Sequence, residues 1–251
     1  LPADGSVTIN DVTRHLATLL VTGPKAPAIL ADMTGQSMTH DDFAWLSHRK
    51  IALAGCQANV IRVSFAGEAG FEIHCPMDDV VAVYDAVMAA GAAHQLRPFG
   101  MLALDSMRLE KGYRSWKADL TSDYTMLESG LGRWVNFNKD DFVGRAALQA
   151  EKQAGSQVEF VTLTLDDPDD GAPFGEAVYL SNVSIDGVDA GLVVSAGYGH
   201  RVGASIAMAV VDRQALANAK DISVLVLGRK RRATVVKGHV LYDPENEKMK
   251  V

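Results

Sequence analysis

The second part of the sequence, from residue 155 onward, is a succession of short β-rich runs separated by turn signals. Glycine and aspartate mark the turns, as at Asp186-Gly187 and Gly228-Arg229. Regular short strands with tight turns are typical of antiparallel barrels and sandwiches. We therefore predict that residues 155–251 form a C-terminal antiparallel β-barrel domain. The runs cover residues 160–165, 177–180, 188–195, 205–211, 222–227 and 233–241.

Residues 1–154 mix strand and helix signals, which predicts an α+β domain ahead of the barrel. Two β-rich runs, at 57–65 and 71–75, flank the glycine-bounded loop Ala66-Gly67-Glu68-Ala69-Gly70 and predict a hairpin. A third β-rich run covers 17–22. Helical periodicity and capping residues predict helices at 24–33 (with Pro24 in the first turn), 41–46, 80–91, 101–111 and 144–154. The predicted domains are thus 1–154 and 155–251.

Composition excludes several classes of protein. The chain has 24 Lys and Arg against 31 Asp and Glu, a net charge of −7, which argues against a nucleic-acid partner. No apolar run approaches the ~20 residues of a membrane helix, so no membrane association is predicted. Cys56 and Cys75 lack CxxC spacing and the seven histidines lack H-E-x-x-H spacing, so no metal site is predicted.

The first residues of the chain contain no initiator methionine, basic segment or apolar leader. They predict a piece cut from a longer protein. Together with reduced cysteines, they predict a cytoplasmic location, or the mitochondrial matrix in a eukaryote.

Three features could bind a flat, polar ligand. Glu68 on its loop could accept two parallel N–H donors, such as a 2-aminopyrimidinone edge, or it could be a solvated turn residue. Arg108 lies at i+3 from Asp105 and could be a fork for a planar ligand or a surface ion pair. Trp116, near Tyr113, could stack on a heterocycle, or it could pack in the core or at an interface.

Four segments, in the same order and at matching spacing, resemble the glycine-cleavage T-protein, a tetrahydrofolate-dependent aminomethyltransferase. Residues 64–73 resemble its Y-T-G-E-x-G segment, and residues 104–112 (L-D-S-M-R-L-E-K-G) are similar to its R-D-S-L-R-L-E-A-G. Residues 141–148 and 205–211 match its F-I-G-R-E-A-L and S-I-A-L-A-R-V segments. The resemblance implies an α+β, partial T-protein-like folate-binding domain followed by the barrel.

Other details are similar to the folate-binding C-terminal portion of dimethylglycine and sarcosine dehydrogenases. These are the stretches R-L-E-K-G-Y-R-S-W at 108–116, L-E-S-G-L at 127–131 and G-Y-G-H-R-V-G at 197–203. In that family an FAD-dependent dehydrogenase region oxidises an N-methyl amine. Tetrahydrofolate captures the one-carbon unit as 5,10-methylenetetrahydrofolate. The partners implied are a small-molecule folate and an N-terminal FAD region in the same or a partner chain.

The resemblance also implies roles for five residues. Glu68 is the carboxylate at the pterin edge, Arg108 the adjacent guanidinium, and Trp116 an aromatic residue lining the site. Phe65 stands three positions before the glutamate, where the family has tyrosine, and Tyr242 matches a ligand contact.

The family's catalytic aspartate belongs to an N-terminal segment without a counterpart here, so no catalytic residue is assigned. We expect the chain alone to be inactive as an enzyme. Alternatives are a stand-alone aminomethyltransferase, a folate-dependent demethylase and a non-catalytic folate-binding protein.

Overall fold

The computed structural model describes residues 3–166 and 181–251, and for 181–183 only the backbone. The chain forms two units: Leu1–Phe99 together with Glu245–Val251, and Gly100–Pro244. The predicted strand at 177–180 lies outside the described residues. The predicted domain boundary near residue 155 stays a prediction.

The first unit is a four-stranded antiparallel sheet with two helices. Its strands have the order β1-β4-β3-β2, and the β3–β4 pairing aligns Val60 with Ile73. The sheet and the two helices share an apolar core that includes Phe71 of β4, Leu30 of α1 and Val83 of α2. The elements are β1 (Leu16–Thr22), α1 (Ala26–Thr34), β2 (His48–Leu53), β3 (Cys56–Ile61), β4 (Gly70–Pro76) and α2 (Val80–Gly91).

The hairpin around Glu68 is confirmed, although β3 ends at Ile61 rather than residue 65. The predicted helix at 41–46 is wrong, because the segment is a turn. Leu46 has a φ of 62°, outside the right-handed helical region, and its N–H donates to the Arg62 carbonyl at 2.9 Å. The proline in the first turn of α1 is Pro27, not Pro24.

The second unit consists of helices and a closed barrel whose strands have the order β10-β5-β8-β7-β6-β9. Alternate residues of β5 face opposite sides. Val161 and Leu163 belong to one apolar core with Ala209, whereas Phe160 packs in another with Leu109. The elements are α3 (Met101–Glu110), α4 (Arg145–Ala154), β5 (Val158–Leu165), β6 (Ser181–Ile185), β7 (Val188–Gly199), β8 (Ala204–Asp212), α5 (Arg213–Ala217), β9 (Ile222–Val226) and β10 (Arg229–Val235).

The predicted barrel and the helices at 101–111 and 144–154 are confirmed. The last strand is Arg229–Val235 rather than 233–241, because its four basic residues conceal the β pattern. Within the described residues, no helix has both the length and the apolarity needed to span a bilayer.

Candidate functional site

The loop from residue 62 to residue 69 carries Glu68, and its backbone is closely held by neighbouring groups. Ser64 Oγ accepts a hydrogen bond from the Ala66 N–H at 3.2 Å. The Ala69 carbonyl accepts two hydrogen bonds, from Thr22 Oγ1 at 3.1 Å and from the Gly23 N–H at 2.8 Å. These bonds join the loop to the end of β1, so Glu68 lies on a rigid support.

Two glycines define the course of the chain around Glu68. Gly67 has a φ of 74°, a conformation that glycine adopts without the steric cost of a side chain. At Gly70, a Cβ atom would lie 2.9 Å from both the Ser64 Cβ and the Val63 carbonyl oxygen. Glu68 is partly buried between buried neighbours. The two glycines therefore determine the path of the backbone from which the Glu68 side chain extends.

The first residue of this loop, Arg62, is a buried residue that the sequence analysis did not single out. Its side chain is buried, and Nη1 donates to the Met38 carbonyl at 2.6 Å. Nη2 donates to the carbonyls of Met249 at 3.3 Å and Val251 at 2.5 Å. Burial lowers the pKa of Arg62. A lone arginine between the apolar residues of an alternating run was the available signal. Its bonds join the loop's base to the C-terminal segment.

In the second unit, Arg108 is the centre of a buried ion-pair network. Nε donates to Asp105 Oδ1 and Nη1 to Asp119 Oδ2, both at 2.6 Å, and Nη2 donates to Ser195 Oγ at 2.8 Å. Nη1 also donates to the Tyr113 carbonyl at 3.1 Å. The Arg108 side chain is 3% exposed and that of Asp105 46%, so the predicted ion pair is buried only at its arginine end, whereas the pair with Asp119 is fully buried. At most one of its five N–H donors remains for a ligand.

Tyr242 is held against the end of α3 by Glu110 and Arg201. Its N–H donates to the Glu110 carbonyl at 2.9 Å, and its ring centroid lies 3.8 Å from Arg201 Cζ. The Glu110 carboxylate, 1% exposed, accepts hydrogen bonds from the Arg201 N–H at 2.6 Å, from Arg201 Nε and from the Val202 N–H at 3.2 Å. The sequence analysis used 197–203 only for its similarity to the dehydrogenases and assigned no role to Glu110.

Trp116 lies on the loop that follows α3 and is 76% exposed. The loop closes on itself, since the N–H groups of Asp119 and Leu120 donate to the Ser115 carbonyl at 3.0 and 3.1 Å. Lys117 has a φ of 68° at its tip. The core-packing interpretation of Trp116 is therefore wrong, and its ring is open to solvent.

Each unit brings its own predicted residues together. Phe65 and Glu68 share one loop of the first unit. In the second unit, Arg108 lies in the last turn of α3, and the Tyr242 N–H donates to the carbonyl of Glu110, the last residue of that helix. Trp116 lies on the loop that follows the helix. Among residues 3–166 and 181–251, no group of three or more His, Cys, Asp and Glu side chains could hold a metal ion.

Comparison with known families now identifies the architecture. Residues 1–139 match the family model of the GCVT N-terminal domain, and residues 159–243 match that of the glycine cleavage T-protein C-terminal barrel domain. The first match alone covers more than half of the chain. The chain belongs to the glycine cleavage T-protein family. The resemblance seen in its four sequence motifs is thereby confirmed.

Curated relatives of this T-protein chain include both dehydrogenases and aminomethyltransferases. It is 31% identical to the mitochondrial dimethylglycine dehydrogenase of Homo sapiens, over 97% of this chain and 28% of that protein. It is 38% identical to human mitochondrial sarcosine dehydrogenase, over 62% of this chain and 17% of that protein. Identity to the aminomethyltransferase of Caldanaerobacter subterraneus subsp. tengcongensis is 30%, over 92% of this chain and 60% of that protein. The chain thus spans less than two thirds of each relative.

A solved structure supports the fold. The glycine cleavage system aminomethyltransferase T from Bartonella henselae matches with a TM-score of 0.75 at 23% identity. The match covers 90% of this chain and 60% of the other. The predicted α+β region and C-terminal antiparallel barrel are confirmed.

Proposed function

We propose that this T-protein chain is the tetrahydrofolate-binding portion of an enzyme like dimethylglycine or sarcosine dehydrogenase. Bound tetrahydrofolate would supply the nitrogen that takes up the one-carbon unit of the oxidised N-methyl amine, giving 5,10-methylenetetrahydrofolate. The observation that carries the proposal is Glu68 on its rigid loop. FAD is assigned to the dehydrogenase region of such an enzyme and to no residue of this chain.

The Glu68 loop suits the pterin edge of a folate. That edge offers a ring N–H and an amino N–H side by side, and a carboxylate with two oxygens accepts such a pair. Because the Ala66 and Ala69 backbone is already hydrogen-bonded within the protein, binding loses little loop entropy. The proposal assigns to Phe65, three positions earlier on the same loop, an apolar ring of the site.

The resemblance to the family also assigns three residues of the second unit to folate. Trp116 has an exposed ring suited to stacking, and Arg201 holds the Tyr242 ring in place. Arg108 contributes mainly by fixing the end of α3, with one N–H at most for the ligand. These roles stay part of the proposal.

The chain alone is expected to bind folate without catalysing turnover. The groups assigned to the ligand are the Glu68 carboxylate, the aromatic rings and at most one N–H of Arg108. No carboxylate of the described residues is assigned as the catalytic base. The dehydrogenase region, which would be the partner of this chain, would lie in the part of such an enzyme that this chain does not cover. Both human relatives are named as mitochondrial, which favours the matrix over the cytoplasm for a eukaryotic source.

A second candidate is a stand-alone aminomethyltransferase. It is favoured by the Caldanaerobacter relative, of which this chain spans 60% compared with 28% of human dimethylglycine dehydrogenase. Both candidates use the same folate contacts. An assay of the full-length protein with dimethylglycine or sarcosine and an artificial electron acceptor distinguishes them, since reduction of the acceptor supports the dehydrogenase.

The folate site is tested by titrating the chain with 5-formyltetrahydrofolate, followed by calorimetry. Glu68→Gln should weaken binding by about 2–4 kcal/mol, since a desolvated N–H pair loses its charged acceptor. This corresponds to a roughly 30- to 700-fold rise in Kd. Glu72→Gln, the same change on the adjoining strand β4, is the matched control and should leave Kd unchanged. Equal affinity for Glu68→Gln and the unmodified chain would refute the assignment.

A further inference from the structure

Arg114 in the second unit packs against one aromatic ring. No described residue accepts a hydrogen bond from its side chain. Its Cζ lies 4.1 Å from the ring centroid of Phe160. On another side it packs against Gly130, where a Cβ atom would lie 2.6 Å from Nη2. The side chain is half-buried, and Nε is buried without a hydrogen-bond partner. The guanidinium is therefore fixed and partly desolvated, with access from solvent.

Arg114 differs in this respect from two other arginines of the unit. Arg108 faces two carboxylates, and Arg201 faces that of Glu110. Within the part of the chain that the structure describes, Arg114 forms no hydrogen bond and no ion pair. Burial lowers its pKa to about 10, against the attraction of Asp119. A desolvated charge without a partner is costly, so this position suits a negatively charged ligand.

Asp119 attracts Arg114 without a hydrogen bond to it, and its Oδ1 is buried and accepts none. Its Oδ2 is engaged by Arg108 Nη1 at 2.6 Å and by the Ser115 N–H at 2.7 Å. The charge of Arg133 acts in the opposite direction and further lowers the pKa of Arg114. The repulsion from Arg133 is weaker than the attraction of Asp119, but no carboxylate of the described residues accepts a hydrogen bond from the Arg114 side chain.

His239 is a second, partly buried group near the same ring, and its Nδ1 atom has no hydrogen-bond partner among the described residues. Its ring centroid lies 6.3 Å from that of Phe160, and the Nδ1 atom itself is buried. Burial, followed by the charge of Arg114, lowers the pKa of His239 and keeps the imidazole neutral at pH 7. In the tautomer with its hydrogen on Nδ1, this atom is a donor. Thr162 Oγ1, on the Phe160 face of β5, is likewise buried without a partner.

We propose that Arg114 and His239 form a binding site for a small oxyanion, a carboxylate or a phosphate. The guanidinium fork matches the oxygen spacing of both groups. The net charge of the chain is −7, so its overall field does not attract anions and binding here must come from local contacts. The site is independent of the folate proposal, because none of its residues is assigned to folate.

The experiment measures binding of inorganic phosphate and of acetate, separately, to the unmodified chain. Calorimetry is combined with thermal unfolding at constant ionic strength in a zwitterionic buffer. A ligand that binds the folded state raises the unfolding midpoint in a saturable way. We expect saturation with at least one of the two anions, and the responding anion identifies the ligand class. Arg114→Gln should raise the Kd at least tenfold.

Arg229→Gln is the matched control, since Arg229 is an exposed arginine of β10. It should keep the Kd of the unmodified chain, and so should Glu68→Gln, which separates this site from the folate site. Saturable binding that persists unchanged in Arg114→Gln would overturn the proposal. So would the absence of saturable binding of both anions to the unmodified chain, a result that does not depend on whether any variant folds. His239→Asn, which should also weaken binding, provides a second variant.

Discussion

The Arg201 guanidinium lies 3.8 Å from the ring centroid of Tyr242, and the same side chain donates to the buried Glu110 carboxylate. One arginine thus connects Tyr242, which the family resemblance assigned to the ligand, with Glu110, to which the resemblance assigned no role. A cation over an aromatic face is attracted by the ring quadrupole, and more strongly where water is excluded. Arg201 is in this sense a positioning residue for Tyr242.

Replacing Arg201 by alanine should loosen Tyr242 and leave Glu110 with fewer donors. We expect unfolding to require about 1–3 kcal/mol less free energy, because a buried carboxylate loses hydrogen bonds. Urea unfolding measures this effect, and titration with 5-formyltetrahydrofolate should show weaker binding. Arg201→Lys keeps a charge over the ring and should recover part of the affinity. Full affinity in Arg201→Ala would contradict the positioning role.

Replacing Asp119 by alanine should be among the most damaging single changes in the second unit. The carboxylate is completely buried and is bonded to Arg108 and to the Ser115 N–H. The change leaves Arg108 with one carboxylate, Asp105, and removes the acceptor of the Ser115 N–H, so the cost should lie toward the lower end of the about 3–5 kcal/mol typical of a broken buried pair. Denaturant unfolding measures the loss, and Asp140→Ala, at an exposed position, is the control. A loss no larger than that of the control would show that the pair adds nothing.

Deleting residues 245–251 should disturb the Glu68 loop, although the deletion removes no residue of that loop. The Lys248 carbonyl accepts from the Ala69 N–H at 3.0 Å, and two carbonyls of this segment accept from Arg62. Without them Arg62 keeps its buried charge but loses acceptors, which destabilises the loop. Amide hydrogen exchange should become faster at residues 62–69, while the exchange of β5 and β8 stays unchanged. Unchanged protection of the loop would exclude this support.

Stability should fall as the pH falls below about 6.5, in part because of His239. Its pKa is lowered in the folded state, by burial first and then by the charge of Arg114. The unfolded chain therefore binds this proton at a higher pH than the folded chain, and stability is lost as the pH falls from the ordinary histidine value toward the lowered one. His239→Asn should show a smaller loss between pH 8 and pH 5 in urea unfolding. An identical pH profile would show that another group is responsible.

Local patterns predicted much of the secondary structure. Alternation with glycine and aspartate turns indicated the barrel strands, and apolar periodicity indicated helices α2, α3 and α4, because both signals depend on neighbours in the chain. The helix expected at 41–46 failed because Leu46 bonds to Arg62, a residue distant in sequence. Strand β2, H-R-K-I-A-L, was missed because its first half is polar.

The site divides in the same way. From the sequence alone came the family, the glycine-bounded turn that carries Glu68, and the contact of Asp105 with Arg108 at i+3, since each is a matter of short spacing. Only the tertiary structure decided that Arg108 is buried with Asp119 and Ser195, that Arg201 lies over Tyr242, and that the Arg114 side chain bonds to no carboxylate of the described residues. Those relationships join residues far apart in the chain. Burial determines how strongly a charge interacts with its neighbours, and burial exists only after the chain has folded.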